Sequence, residues 1–414
     1  MSSRATGRTV SPSWVCCQLG AREHYAVPRA LARAGRLSAL VTEAWVTPGS
    51  AAARLPRRGL GERYHPELEG ATVRSFTAAS VGFELAQKAR GTTGWRRVIA
   101  RNRWFQRRAV RALEALRGGS EAPAGPPVLF AYSYAALEIA RYAKSRGWKF
   151  VLGQIDPGPY EEQLVGREHA RRPQFASAFE QAPAGYWRDW REECELADRV
   201  LVNSRWSKQA LESEGVAAAK VDVVPLAYEP AEASGAVARQ FPAEFTAERP
   251  LRVLFLGQLI VRKGVAAVLE AARLLRDLPV EFWMVGPVGI PESAMNGGGK
   301  VRWVGPVSRR ETAGYYSRAD LFLFPTLSDG FGLTQLEAQS WGLPIVASRF
   351  CGDVVSHGES GLVLEEVSGE SVAEALRRCL ERPAELSRFS ARASESAAGW
   401  DVSSLQQRLV SLAL

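Results

Sequence analysis

Two α/β domains, each built on a doubly wound parallel sheet, are what the sequence predicts. Three observations carry this. Short apolar runs alternate with helix-period segments along most of the chain. The runs are continuously hydrophobic rather than alternating, as expected of strands covered on both faces. At 414 residues the chain also exceeds what one ordinary core holds, so the alternation should divide in two.

In chain order, SWVCCQLG (13–20) reads as a strand, HYAVPRALARAG (24–35) as a helix and LSALVTEAW (37–45) as a strand. PVLFAY (127–132), KFVLGQI (149–155), RVLVNS (199–204) and VDVVPL (221–226) continue the strand series. AALEIARYAKSRG (135–147) and WSKQALESEG (206–215) are the helices between them. The second half repeats the pattern. LRVLFLG (251–257) leads into the helix KGVAAVLEAARLLRD (263–277), then the strands VEFWMVG (280–286) and VRWVGPV (301–307). A short helix precedes the strand DLFLFP (320–325). Between the halves EPAEASGAVARQFPAEFTAE (229–248) is rich in Ala, Pro and Glu and weak in periodicity, which marks a linker. Rossmann-like domains at 1–228 and 250–395, joined by a linker at 229–249 and facing one another across a cleft, follow.

With 46% apolar and 23% charged residues, the composition is that of a soluble globular chain. Uninterrupted apolar runs reach nowhere near the ~18 residues of a membrane span. The opening MSSRATGRTVSPS lacks the apolar stretch of a secretory signal and reads as a short disordered lead. Cys16, Cys17, Cys194, Cys351 and Cys379 are odd in number and lack metal-type spacing, so a reduced, cytoplasmic setting is expected.

The net charge of +9 is uneven: residues 1–228 hold 34 basic and 22 acidic side chains, the remainder 19 and 22. The first domain should therefore meet something anionic. Eight arginines and one glutamate fall in WRRVIARNRWFQRRAVRALEALR (95–117), with Trp95, Ile99, Phe105, Ala109, Leu113 and Leu116 at helical spacing. Such a basic amphipathic helix packs its stripe on the first domain, lies on an anionic membrane surface, or does both. Nucleic acid is not an expected partner, because the arginines cluster on one helix rather than beside stacking aromatics.

The chemistry is expected in SDGFGLTQLEAQSWGLPIVAS (328–348). A strand exits into Asp-Gly-Phe-Gly, a helix follows, Gly342 and Pro344 end it, and PIVAS is the next strand. Ligands of open α/β sheets bind at the carboxyl ends of strands, where the partial positive charge of a helix start suits an anion. Gly330 and Gly332 allow close backbone approach. Asp329 and Glu337 would stand on the order of 10 Å apart, given 1.5 Å rise per residue. That separation excludes a shared-proton pair and suits two hydroxyl-bearing rings flanking a diphosphate, the shape of a nucleotide-sugar.

These residues resemble the retaining glycosyltransferases of the GT-B fold, family four, whose motif of two acids separated by seven residues is written EGFGLxxLEAxAxGxPVV. Here it stands as DGFGLTQLEAQSWGLPIV, Asp329 to Val346. FLGQLIVRKGV (255–265), ADRVLVNS (197–204) and VVPLAYE (223–229) resemble further signatures of the family. The resemblance is close over 197–381 and looser before it. It implies that Glu337 holds the ribose hydroxyls and that Asp329 lies beside the transferred sugar. It places the backbone around Phe331 and Leu333 on sugar and phosphates and has Lys263 neutralise the diphosphate leaving group. It implies transfer with retention, without metal or other cofactor, while the basic first domain makes a glycan or lipid-linked acceptor, in cell-envelope or exopolysaccharide synthesis, the expected one. It also implies a closing helix in 396–414 that crosses back to the first domain.

Two positions depart from the family pattern. Gln258 stands where an arginine is usual, and Arg262 either compensates or is an ordinary surface residue. Asp329 replaces the commoner glutamate. A non-catalytic sugar-nucleotide-binding protein, or another GT-B enzyme such as an epimerase, is the alternative these departures leave open. In the first domain, the resemblance implies a glycine-bearing loop that faces the donor diphosphate, and Gly20 is its candidate. His24 is a substrate-contacting candidate or simply a residue at a helix start. Asp156 either binds acceptor hydroxyls or serves the turn at Pro157 and Gly158.

Overall fold

A computed structural model describes residues 13–50, 61–118, 125–175, 179–230, 239–295 and 298–414. Residues 1–12 of the expected lead and residues 231–238 of the expected linker lie outside the described residues.

The first sheet contains β1 (Trp14–Gln18), β2 (Leu37–Thr42), β3 (Val73–Ser75), β4 (Val128–Tyr132), β5 (Lys149–Gly153), β6 (Arg199–Val202) and β7 (Val221–Val223). All pairings are parallel, in the order β3-β2-β1-β4-β5-β6-β7. The second sheet contains β8 (Leu251–Leu256), β9 (Val280–Val285), β10 (Val301–Gly305), β11 (Leu321–Phe324), β12 (Ile345–Ser348) and β13 (Gly361–Leu364). It too is wholly parallel, ordered β10-β9-β8-β11-β12-β13.

Both faces of each sheet are covered, which is why the strands read as unbroken apolar runs. Along β1 and β4, Val15, Cys17, Leu129 and Ala131 enter one core, while Trp14, Cys16, Phe130 and Tyr132 enter the other. Along β8 and β11, Val253, Phe255, Leu321 and Leu323 face one way, and Leu254, Phe322 and Phe324 the other. All five cysteines are buried and unpaired.

The helix Val402–Val410, capped by Asp401 accepting from the Ser404 amide at 2.7 Å, buries Val402, Leu405 and Leu409 among Trp14, Tyr25 and Leu31 of the first domain. Part of the expected linker packs on the second domain. Phe245 enters its core, and Arg239 donates to the carbonyls of Trp341 at 2.7 Å and Ala319 at 2.6 Å.

Strand order reverses between β1 and β4 in one sheet and between β8 and β11 in the other. In doubly wound sheets ligands bind outside the carboxyl ends of the strands at this switch point. The two switch points bring together the segments that follow Gln18, Tyr132, Leu256 and Phe324.

Candidate active site

After β8, Gly257 and the exposed Gln258 lead into the 3-10 turn Val261–Lys263. Gly264 closes that turn at φ +78°, and a Cβ there would stand 1.8 Å from the Pro325 carbonyl oxygen. Only glycine lets this loop lie flat against the exit of β11. That contact places Lys263, whose ammonium lies 5.0 Å above the Phe324 ring, in an ion pair with Asp329. Arg262 points into the same seam, donating to the Ser328 carbonyl at 3.0 Å and lying 3.6 Å from both Asp329 and Glu161. It is a half-buried cation held by these partners in the seam. Burial alone would raise the Asp329 carboxyl, but Lys263 and then Arg262 outweigh it and hold Asp329 below the usual carboxylate range.

The helix after this loop spans Thr334–Ser340. Phe331 is buried against Leu336, Val354 and Trp400, so its backbone alone is available to a ligand. The Phe331 amide donates to Asp329 Oδ1 at 3.2 Å. The amides of Gly332 and Leu333 have no protein partner among the described residues. Glu337 accepts from the Tyr316 hydroxyl at 2.7 Å. Its carboxyl is raised by burial, against the pull of that hydrogen bond and of Arg309.

Arg309 begins the helix Arg309–Arg318 after β10 and reaches His24 Nε2 across the cleft at 2.8 Å. His24 is therefore more than a residue at a helix start. It lies in three consecutive left-handed non-glycine residues, Glu23, His24 and Tyr25, at φ 45°, 50° and 61°. Such backbone costs on the order of 1–3 kcal/mol per residue and clusters at ligand sites. Burial first, then Arg309, lowers the His24 pKa, so the ring is neutral and accepts from the guanidinium.

Gly20, two residues past β1, lies at φ +93°, but its amide donates to Glu43 Oε2 at 2.7 Å. A diphosphate facing this loop would have to displace the Glu43 carboxylate. Asp156 serves the turn, and its carboxylate also faces the cleft. It accepts from the Gly158 amide at 2.9 Å within the turn, and from the Tyr134 hydroxyl in the cleft. Its carboxyl is raised, chiefly by burial.

The first domain docks directly on the Asp-Gly-Phe-Gly loop. Trp206 Nε1 donates to Ser328 Oγ at 3.0 Å, and Arg205 pairs with Asp353 at 2.9 Å. A Cβ on Gly330 would lie 2.3 Å from the Ile155 carbonyl, so the domain seam itself requires a glycine here. Sequence reasoning missed Glu161, Arg309, Tyr134 and Tyr316. None sits in a recognisable motif, although Arg309 and Tyr134 follow strands β10 and β4 at their carboxyl ends, where a strand-end search would have found them. Among the described residues no group of His, Cys, Asp and Glu is placed to hold a metal ion.

Residues 250–382 match the family model "Glycosyl transferases group 1". A D-inositol 3-phosphate glycosyltransferase of Nocardioides is 34% identical over 170 residues, 35% of this chain and 37% of that protein. The curated relatives found first are matched over 24% to 57% of their length, less than two thirds in every case. Among solved structures, sucrose-phosphate synthase from Thermosynechococcus elongatus superposes with a TM-score of 0.63 at 17% identity, covering 96% of this chain and 97% of that one. Anabaena HepE in complex with UDP gives 0.60 at 14% identity, covering 96% and 98%. The chain has the two-domain GT-B fold.

Proposed function

We propose, for a GT-B-fold chain whose residues 250–382 match the glycosyl transferases group 1 model, that it moves a sugar from a nucleotide-sugar to an acceptor hydroxyl. The observation that carries this is the placement of Lys263 against Asp329 at the second switch point, beside two unpartnered amides and with Glu337 on the following helix. As the bond from the anomeric carbon to the diphosphate oxygen breaks, negative charge grows on the leaving group. Lys263, Arg262 and the amides of Gly332 and Leu333 are the fixed positive groups that stabilise it. Lys263 leaves Asp329 for the phosphates when the donor binds, and Asp329 is then free to accept from hydroxyls of the transferred sugar. Glu337, held by Tyr316, accepts from the ribose. Because the compensating charge resides on side chains and amides, we propose transfer without metal. Retention of configuration rests on the resemblance of the acid motif alone.

HepE is described in complexes with UDP and with UDP-glucose, which favours a uridine donor as the first to try. The membrane reading is supported by the helix Gly94–Gly118. Phe105, Ala109, Leu113 and Leu116 pack into the first domain, while Arg103, Arg107, Arg108 and Arg111 line an open cavity beside Trp104 and Phe83. No helix among the described residues is long and apolar enough to cross a membrane. We therefore propose a peripheral enzyme of envelope or exopolysaccharide glycan synthesis.

The test is incubation of purified protein with UDP-, GDP- and ADP-sugars, with and without chelator, reading free sugar and nucleoside diphosphate. Chelator-insensitive release from one donor is expected. Nucleotide binding without any release would leave a non-catalytic binder, interconversion of the free donor an epimerase, and absence of nucleotide binding would end the reading altogether.

A further inference from the structure

Two cations reach the donor loop from the turn after β8, Arg262 and Lys263, and Gln258 adds none. Lys263 is held within the second domain, by Asp329. Arg262 is also held from the first. Glu161 stands in the first turn of the helix Pro159–Arg171 and sets Oε1 3.6 Å from one guanidinium nitrogen, as near as Asp329 Oδ2 on the other side. At that separation neither contact is a hydrogen bond. The guanidinium is steered by charge rather than clamped.

Asp156, Glu161 and Asp329 all act on Arg262, but they are not equally supported. Asp156 accepts from the Tyr134 hydroxyl and the Gly158 amide, and Asp329 from Lys263 and the Phe331 amide. Glu161 Oε2 is buried and accepts from nothing. Burial raises the Glu161 carboxyl to about 7 against the pull of Arg262, and Asp156 and Asp329 add to the rise. Other charged groups around its helix are committed elsewhere. Glu162 accepts from Trp187 Nε1 at 2.7 Å, Glu214 accepts from Gln163 at 2.9 Å, and Arg172 pairs with Glu168 and Glu270. On the neighbouring helix Arg205–Ser213, Arg205 pairs with Asp353 and Lys208 donates to the Val221 carbonyl at 3.0 Å. His169, kept neutral by burial, and the exposed Glu180 share with Glu161 a cavity of about 320 Å³.

We propose that Glu161 is a positioning residue that steers Arg262 in the donor-free protein, yields it to the donor diphosphate, and takes up a proton from solvent in exchange. Departure of the nucleoside diphosphate reverses the exchange. A diphosphate brings negative charge beside a carboxylate whose ion-pair partner it also engages, and protonation removes that repulsion without any backbone movement. The inference deepens the transfer reading above and rests on it.

The test uses the full-length protein and UDP-glucose, which has no group of its own that titrates near neutral pH. GDP- and ADP-glucose follow if it does not bind. Calorimetric titration at about pH 7.5, in buffers of different ionisation enthalpy, counts the protons exchanged. If the complex holds the Glu161 proton about tenfold more tightly than the free protein, about half a proton is taken up per donor bound. Affinity should then fall about fourfold between about pH 7 and about pH 8.5. Glu161→Gln, neutral throughout, should show no uptake and a flat affinity profile. Arg262→Gln should bind the donor more weakly and take up little, because Glu161 then already holds its proton. Asp156→Asn should keep most of the uptake. Proton-neutral binding by wild type overturns the proposal, as does uptake that survives Glu161→Gln. Loss of uptake in Asp156→Asn would give the proton to Asp156, and undiminished uptake in Arg262→Gln would leave Glu161 acting without Arg262; either result overturns it too. Failure of all three sugar nucleotides to bind would instead remove the transfer reading.

Discussion

The carbonyl oxygen of Ile155 occupies the space a side chain on Gly330 would need, 2.3 Å from the position of its Cβ. Backbone meets backbone there, one strand-exit loop from each domain. The glycine between the two acids is thus where the domains touch. Trp206 on Ser328 and Glu161 facing Arg262 at 3.6 Å surround the same contact. The loop that would hold the donor is therefore also the floor of the interdomain seam.

Gly330→Ala should separate these functions. No rotamer change relieves a clash with a carbonyl, so the domains must shift apart. Displacement of reacting groups by about 1 Å can lower turnover on the order of 100-fold. Nucleoside diphosphate binding, which we place chiefly on the second domain, should stay within a few-fold of wild type. Small-angle scattering should report an expanded molecule. A variant with normal dimensions and normal turnover would show the contact to be dispensable.

Lys263→Met should affect stability and turnover through one pair. The Lys263 and Asp329 side chains are 16% and 15% exposed. Breaking such a pair from one side costs about 3–5 kcal/mol, because a buried charge loses its partner, although Arg262 at 3.6 Å softens the loss here. The double variant Lys263→Met with Asp329→Asn should recover most of the melting temperature. Turnover should stay depressed by about 10²–10³-fold, the scale of losing one donor to a developing charge. Recovery of both together would mean that Lys263 serves structure alone.

Much of this arrangement was legible beforehand. The strand series was readable because both sheet faces are covered, and the acid motif because its glycines and acids stand at fixed spacing. Lys263 was legible only through the resemblance of FLGQLIVRKGV (255–265) to a family signature, and the structure adds that Gly264 seats it. What escaped was whatever depends on the docking of one domain on the other. Glu161 lies in an ordinary helical segment. His24 gains its partner from Arg309, 285 positions away. Short edge strands such as Val73–Ser75 also went unread, since three residues carry no period.

Glu337 and Tyr316 predict a nucleotide preference. Burial raises the Glu337 carboxyl and the Tyr316 hydroxyl fixes it at 2.7 Å, leaving its other oxygen for a ribose. Wild type should bind UDP about tenfold more tightly than 2′,3′-dideoxy-UDP, from one or two charge-assisted hydrogen bonds. Glu337→Ala should lose that discrimination and bind both weakly. Tyr316→Phe should reduce it partway. Undiminished discrimination in Glu337→Ala would place the ribose elsewhere.

Glu161 predicts how stability varies with pH. Burial pushes its carboxyl from 4.5 up to about 7 against the opposing pull of Arg262, and Oε2 has no hydrogen-bond partner. In the unfolded chain the group returns to its ordinary range. Between pH 4.5 and 7 the folded protein therefore retains a proton that the unfolded chain has released. The group's stabilising contribution is complete below the lower value and is lost as pH rises through the upper one. Glu161→Gln holds a neutral side chain of the same shape at every pH. Its melting temperature relative to wild type should thus be nearly unchanged at about pH 4.5 and should grow steadily more favourable by about pH 8. Glu193, also raised to about 7 by burial, is common to both proteins and drops out of the comparison. If wild type instead gained on Glu161→Gln as the pH rose, Glu161 would be ionised at neutral pH, and its attraction to Arg262 would outweigh the burial that now dominates it.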